Sequence, residues 1–247
     1  MQQAEQYIHP MTSTIREMVA IFSALGFTVA DGPELESEHY NFDVLNFKKD
    51  HPARDMQDTF WVKRDTPSVL RTHTSPVQVR YMEKHGAPAR VIVPGKVYRN
   101  EATDMTHEAQ FYQLEGLAVD TDITLGNLKW TLAHAMEKFF GGRVEVRLRP
   151  SFFPFVEPGL EVDIRITGED APPRLRDKWI EALGAGMVHP NVLEAAGVDS
   201  KKYQGFAFGV GLERLAMLKW GIDDIRLFHT GDLRFVTQFK SSEVGTL

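Results

Sequence analysis

The segment GFAFGVGLERLAML, from Gly205 to Leu218, constrains this chain more than any other. Gly205, Ala207, Gly209 and Gly211 alternate with Phe206, Phe208, Val210 and Leu212. Successive strand residues face opposite sides, so this run reads as a strand over Phe206 to Val210 with one large apolar face and one nearly bare face. The apolar face belongs to a core. The bare face lets a flat ligand lie against the backbone itself. The strand runs straight into a helix over about Leu212 to Trp220. Arg214 falls in its first turn, where free amides and the helix dipole favour an anion. A guanidinium there suits a phosphate. The plainer alternative is a glycine-rich strand packed on a helix, with Arg214 in a surface ion pair.

A second stretch, GKVYRNEATDMTHEAQFYQLEGLAVD from Gly95 to Asp120, has the same alternation. Strands are expected over Arg90 to Arg99 and Gln110 to Asp120, with a polar loop between them. Val97, Arg99 and Glu101 share one face of the first. Phe111, Gln113 and Glu115 share a face of the second, with Tyr112 and Leu114 opposite. One aromatic followed by two polar groups is odd for a core and suits a ligand platform; the alternative is an edge strand with a solvated face.

Around these stretches the pattern predicts a helix over Thr14 to Leu25, with Thr14 and Glu17 as a capping box and Ile15, Val19 and Phe22 as its apolar stripe. Phe27 to Val29 is extended and Asn46 to Asp58 is a polar loop. Ser75-Pro76 starts a helix through Lys84, with Ser75 as its cap. A helix over Leu125 to Phe140 ends at Gly141-Gly142, and strands follow at Val144 to Arg149, Glu161 to Thr167 and Trp179 to Val188. Hairpin-like strands with a few helices give an α+β fold built on an antiparallel sheet flanked by helices. The chain has 247 residues, which suits one domain over residues 1–239 and a frayed tail over 240–247.

Several chemistries are excluded. There is no cysteine, hence no disulfide and no thiolate zinc site. The histidines lack H-E-x-x-H spacing. No P-loop is present, and Arg214 stands where the third glycine of a Gly209-Val210-Gly211 dinucleotide fingerprint belongs. A net charge of −6 argues against a dedicated nucleic-acid module. No run of about 18 apolar residues exists, so no membrane contact and a cytoplasmic protein are expected.

YRNE followed by FYQLEG resembles motif 2 of the class II aminoacyl-tRNA synthetases, and GFAFGVGLERLAML resembles motif 3. The helix and extended segment up to Pro33 resembles motif 1. These motifs occupy about residues 14–36, 90–120 and 205–221. Three further strings, THTSPVQ (Thr72 to Gln78), SFFPFVEP (Ser151 to Pro158) and GMVHPNVL (Gly186 to Leu193), are similar to the bacterial-type phenylalanyl-tRNA synthetase alpha chain. The match runs from about His9 to Phe239.

The resemblance implies a ligase that joins L-phenylalanine to ATP and then to tRNA(Phe), working as two alpha and two beta chains. It implies that Arg99 grips the α-phosphate and the amino-acid carboxylate, and that Arg214 holds the terminal phosphate. Phe111 would stack on adenine, with Glu101 and His107 beside the nucleotide. His73, Ser75, Gln78, Gln113 and Glu115 would bind the polar end of phenylalanine. Phe153 and Phe155, taken as lying on one strand face, would meet its ring, and Ala207 would gate its size. Glu157 would hold Mg2+ together with the partner subunit, with Glu161 and Asp163 as alternatives. The chain departs from the family in beginning where a long helical arm would end, which puts tRNA charging in doubt, and in carrying Ala185 where a cysteine is usual. A paralogue serving another acceptor, or a non-catalytic sensing subunit, would share the fold. Arg99, Phe111, Glu115 and Arg214 together weigh against the sensor, and Phe153, Phe155 and Ala207 against the paralogue.

Overall fold

The computed structural model describes residues 7–54, 59–63, 66–169 and 173–240. The first part of the chain forms α1 (Pro10–Ala24), β1 (Thr28–Val29), β2 (Leu35–Ser37), α2 (Glu38–Asn41), β3 (Trp61–Val62), β4 (Ser68–Leu70) and α3 (Ser75–His85). Then come β5 (Ala89–Tyr98), β6 (Gln110–Asp120), α4 (Leu125–Phe140), β7 (Arg143–Phe153), β8 (Val156–Thr167) and β9 (Trp179–Val188). The last are α5 (Pro190–Ala195), β10 (Gln204–Gly211), α6 (Leu212–Trp220) and α7 (Leu233–Val236).

The main sheet has seven strands in the order β1-β5-β6-β10-β9-β8-β7. Every neighbouring pair is antiparallel except β1 with β5. The fold is therefore the expected α+β type, with one parallel strand at the edge. Its two faces follow the alternation of the central strands. Phe206, Phe208, Val210, Leu114 and Ile92 join a core beneath α1, α4 and α6. Ala207, Leu117, Val119, Val91 and Val93 face the other way, toward α3 and α5. Phe208 stacks on Phe22 of α1 at 5.1 Å between ring centroids and fills the space where Gly116 would carry a Cβ. Burying such a ring contributes about 1.5–3 kcal/mol.

Some local readings need correction: the strands expected at Val144 to Arg149 and Glu161 to Thr167 are longer, β7 running on to Phe153 and β8 beginning at Val156. The first helix starts at Pro10, with the His9 ring accepting from the Met11 amide at 3.2 Å. Proline at the first position has its φ preset and needs no amide partner. Thr14 lies inside the helix, its hydroxyl donating to the Pro10 carbonyl at 2.9 Å, and is not a cap. The small sheet β2-β4-β3 was not anticipated, because strands of two or three residues carry no readable period. The loop expected over Asn46 to Asp58 contains a 3-10 turn at Pro52–Arg54; its residues 55–58, like the tail 241–247, lie outside the described residues. By contrast α4 has the expected limits, with Thr124 and Asn127 as a capping box and left-handed Gly141 at its end. No helix among the described residues is long and apolar enough to cross a membrane.

Candidate active site

β6 and β10 lie side by side, Gln113 opposite Gly211 and Glu115 opposite Gly209. Above this pair open two adjoining chambers. The inner one, about 410 Å³, is lined by His73, Ser75 and Gln78 from the start of α3, by Gln113, Glu115 and Ala207 from the sheet, and by Phe153 and Phe155. The outer one, about 750 Å³, is lined by His107, Phe111 and Arg214. Arg99, Glu101, Gln113, Phe153, Gly184 and Gly209 line both. The two arginines, more than a hundred residues apart in sequence, thus open onto one cleft.

Glu115 is the polar centre of the inner chamber and is 4% exposed. It accepts from the Thr74 amide at 3.0 Å, the Ser75 hydroxyl at 2.5 Å and the Gln78 amide at 2.9 Å. Burial pushes its carboxyl up to about 7, against the pull of these hydrogen bonds and of Arg71 and Arg99. Ser75 is therefore not the helix cap. It is the first residue of α3, whose cap position is Thr74 with no side-chain cap bond.

His73 is also buried, and burial together with the Arg99 and Arg71 charges pushes it down to about 3. It is neutral at physiological pH. The backbone of Asn41 opposes this shift but is the smallest of its causes. Both His73 ring nitrogens and the Gln113 side-chain oxygen are buried without a partner. Buried polar atoms rarely stay unsatisfied, so these atoms point to a polar ligand in the inner chamber.

Arg71 was missed by sequence reasoning. The residue is 2% exposed, and its guanidinium donates to the carbonyls of Lys96 at 2.8 Å and Gly32 at 3.0 Å. It occupies the space over Gly95 that a Cβ would fill. In this way it fixes the segment that delivers Thr72, His73 and Ser75 to the cleft. Glu213 was also missed: 1% exposed, it lines the outer chamber and holds the Tyr112 amide with both oxygens, at 2.8 and 2.9 Å. Burial pushes its carboxyl up to about 7. Neither residue has a periodic signal, since each acts on backbone that is distant in sequence.

Arg99 and Glu101 lie just past the end of β5 rather than on it. The Arg99 guanidinium reaches the Thr72 carbonyl at 3.4 Å and lies 5.1 Å from the Phe111 ring centroid. Phe153 ends β7, whereas Phe155 lies in the turn before β8, so they do not share a strand face. The turn brings them together instead, with ring centroids 6.0 Å apart and nearly parallel. The bare face of β10 is only partly open. A Cβ on Gly209 would meet Gln113 at 3.0 Å and Glu115 at 3.1 Å, and one on Gly205 would strike the backbone of Ala118. Only at Gly211 is the face free, with nothing nearer than 3.9 Å.

Glu157 lines neither chamber. Its side chain is 75% exposed and lies 3.3 Å from the His189 ring. Asp163 is engaged by Arg147 and Arg149 at 2.7 Å each, and Glu161 by Arg149 at 2.9 Å. Among the described residues no group of three His, Asp or Glu could hold a metal ion.

The family of class II tRNA synthetase core domains (F) matches residues 1–239. The alpha subunit of phenylalanine–tRNA ligase from Bacillus licheniformis is 56% identical over 239 residues, 95% of this chain and 69% of the relative. The same subunit from Bacillus subtilis is 54% identical over the same shares. That from Dehalococcoides mccartyi is 53% identical over 240 residues, 94% of this chain and 69% of the relative. Among solved structures, pyrrolysyl-tRNA synthetase from Desulfitobacterium hafniense superposes with a TM-score of 0.68 at 19% identity, covering 94% of this chain and 76% of that one. That likeness concerns the fold. With a cleft of this form and relatives at this level, the chain belongs to the phenylalanine–tRNA ligase alpha-subunit family of the class II tRNA synthetases.

Proposed function

We propose that this chain is the catalytic subunit that activates L-phenylalanine with ATP and transfers it to tRNA(Phe), alongside a beta subunit in the cytoplasm. The observation that carries this reading is Arg99, which lines both chambers at their junction. Phenylalanine occupies the inner chamber, its ring among Phe153, Phe155 and Ala207 and its ammonium toward Glu115. Gln78 and Gln113 frame its polar end, and neutral His73 can donate from one ring nitrogen and accept at the other. ATP occupies the outer chamber, with adenine on Phe111, Glu101 and His107 beside it, and Arg214 on the terminal phosphate.

The reaction then needs no protein nucleophile. A carboxylate oxygen of phenylalanine forms a bond to the α-phosphorus, the bond to the β-phosphate oxygen breaks, and pyrophosphate leaves. Arg99 holds both reacting groups in line and neutralises charge on the α-phosphate oxygens, where positioning and fixed positive charge are most effective. A bound Mg2+ would add positive charge at the phosphates to that of Arg99 and Arg214. Glu157, exposed and outside both chambers, would hold a magnesium ion only as a single carboxylate completed by a partner subunit, away from the reacting phosphates.

Amino-acid-dependent ATP–pyrophosphate exchange, with and without a beta chain, tests the proposal. Exchange driven by phenylalanine supports it. Exchange driven only by another amino acid, or none even with the partner present, overturns it.

A further inference from the structure

The aromatic end of the inner chamber is made by three segments distant in sequence. Phe47 follows a 3-10 turn at Asp43–Leu45, Phe153 and Phe155 flank the turn at Pro154, and His73 precedes α3. Phe47 lies 6.0 Å from His73 with the rings nearly parallel, and 5.9 Å from Phe155. Ring contacts alone do not fix how far apart these segments stand.

Asn46 does. It closes the 3-10 turn in the left-handed conformation, φ 63° and ψ 20°, which asparagine tolerates better than most residues. Its side chain links two segments that border the inner chamber. Its Nδ2 donates to the Pro154 carbonyl at 2.7 Å, and its Oδ1 accepts from the Asn191 amide near the start of α5 at 2.9 Å. The Pro154 carbonyl can only accept, so Asn46 must present its NH2 there, and its oxygen is left for Asn191. A second tie, from the His189 amide to the Phe155 carbonyl at 3.0 Å, holds the turn from the α5 side only.

We propose that Asn46 is a specificity-positioning residue: its amide clasps the Pro154 turn and α5 to the Phe47 loop, and so sets the width of the amino-acid chamber against ring substituents. The inference rests on the reading of the inner chamber as the phenylalanine site. It goes beyond that reading by assigning discrimination to a residue that lines neither chamber. Without the clasp, the Phe47 loop and the Pro154 turn can part, and a para-substituted ring gains room.

The test is pyrophosphate exchange by the enzyme with its beta subunit, using L-phenylalanine and para-chloro-L-phenylalanine. Wild-type exchange with phenylalanine establishes the underlying reading first. Asn46→Gly accepts the positive φ without strain but has no amide, whereas Asn46→Asp keeps the volume but sets an acceptor against the Pro154 carbonyl. In both, the ratio of kcat/KM for phenylalanine to that for the analogue should fall roughly three- to tenfold, the span covered by one lost hydrogen bond. The fall should come from a lower KM for the analogue. Asn191→Ala, which cuts the other end of the clasp, should move the ratio in the same direction and serves where an Asn46 variant does not fold. An unchanged ratio, or an equal loss of kcat/KM for both amino acids, overturns the proposal and leaves Asn46 a merely structural residue.

Discussion

Replacing Glu115 by glutamine separates the cost of a buried charge from its use. Burial raises the carboxyl from 4.5 to about 7 in the folded chain. Between those values the unfolded chain has lost its proton while the folded chain keeps it, so the folded state binds more protons. Stability therefore falls as pH rises from about 4.5 to about 7 and levels off above that. The full cost of ionised Glu115 at about pH 8 is about 3 kcal/mol. Glutamine has nearly the same shape and no charge. Its oxygen can accept from the Thr74 amide. Its NH2 then faces the Ser75 hydroxyl, which can turn to accept, and Gln78, whose amide can rotate. Allowing about 1 kcal/mol for an imperfect bond, Glu115→Gln should be more stable than its parent by about 2 kcal/mol near pH 8 and less stable by about 1 kcal/mol below pH 4.5. Urea denaturation across that range measures it. The same variant should raise the KM for phenylalanine about ten- to a hundredfold, as expected when a charged hydrogen bond worth about 1.5–3 kcal/mol is lost. A variant destabilised equally at both ends of the pH range, or one with an unchanged KM, would show that Glu115 is a structural acceptor and not the ammonium's partner.

Gly184→Ala places a methyl 3.0 Å from the Phe153 ring; the ring should shift at a cost of about 1–3 kcal/mol, raising the KM for phenylalanine more than that for ATP in exchange assays. Glu213→Ala strips the Tyr112 amide of its partner and should lower stability by about 1–3 kcal/mol in urea denaturation, whereas Glu213→Gln, which can still accept, should recover most of it.

The sequence alone determined the sheet. The alternation in Gly205 to Leu212 and in Phe111 to Glu115 named the core face correctly and set the other face toward the cleft, because side-chain direction along a strand is a local property. The limits of α4, α6 and β9 were legible for the same reason: caps, glycines and apolar spacing lie within the element itself. Phe111, Gln113, Glu115 and Ala207 lie in these strands, and Arg99 and Arg214 just beyond the ends of β5 and β10, so all six could be singled out before any coordinates. What the tertiary structure decided is how distant segments meet. Ser75 turned out to hold Glu115 and not the helix end, the Pro154 turn brought Phe153 and Phe155 together, and Gly209 proved to make room for Gln113 and Glu115 as much as for a ligand. Arg71, Glu213 and Asn46 were invisible because each serves backbone far away in the chain, and no spacing within one segment records a partner in another.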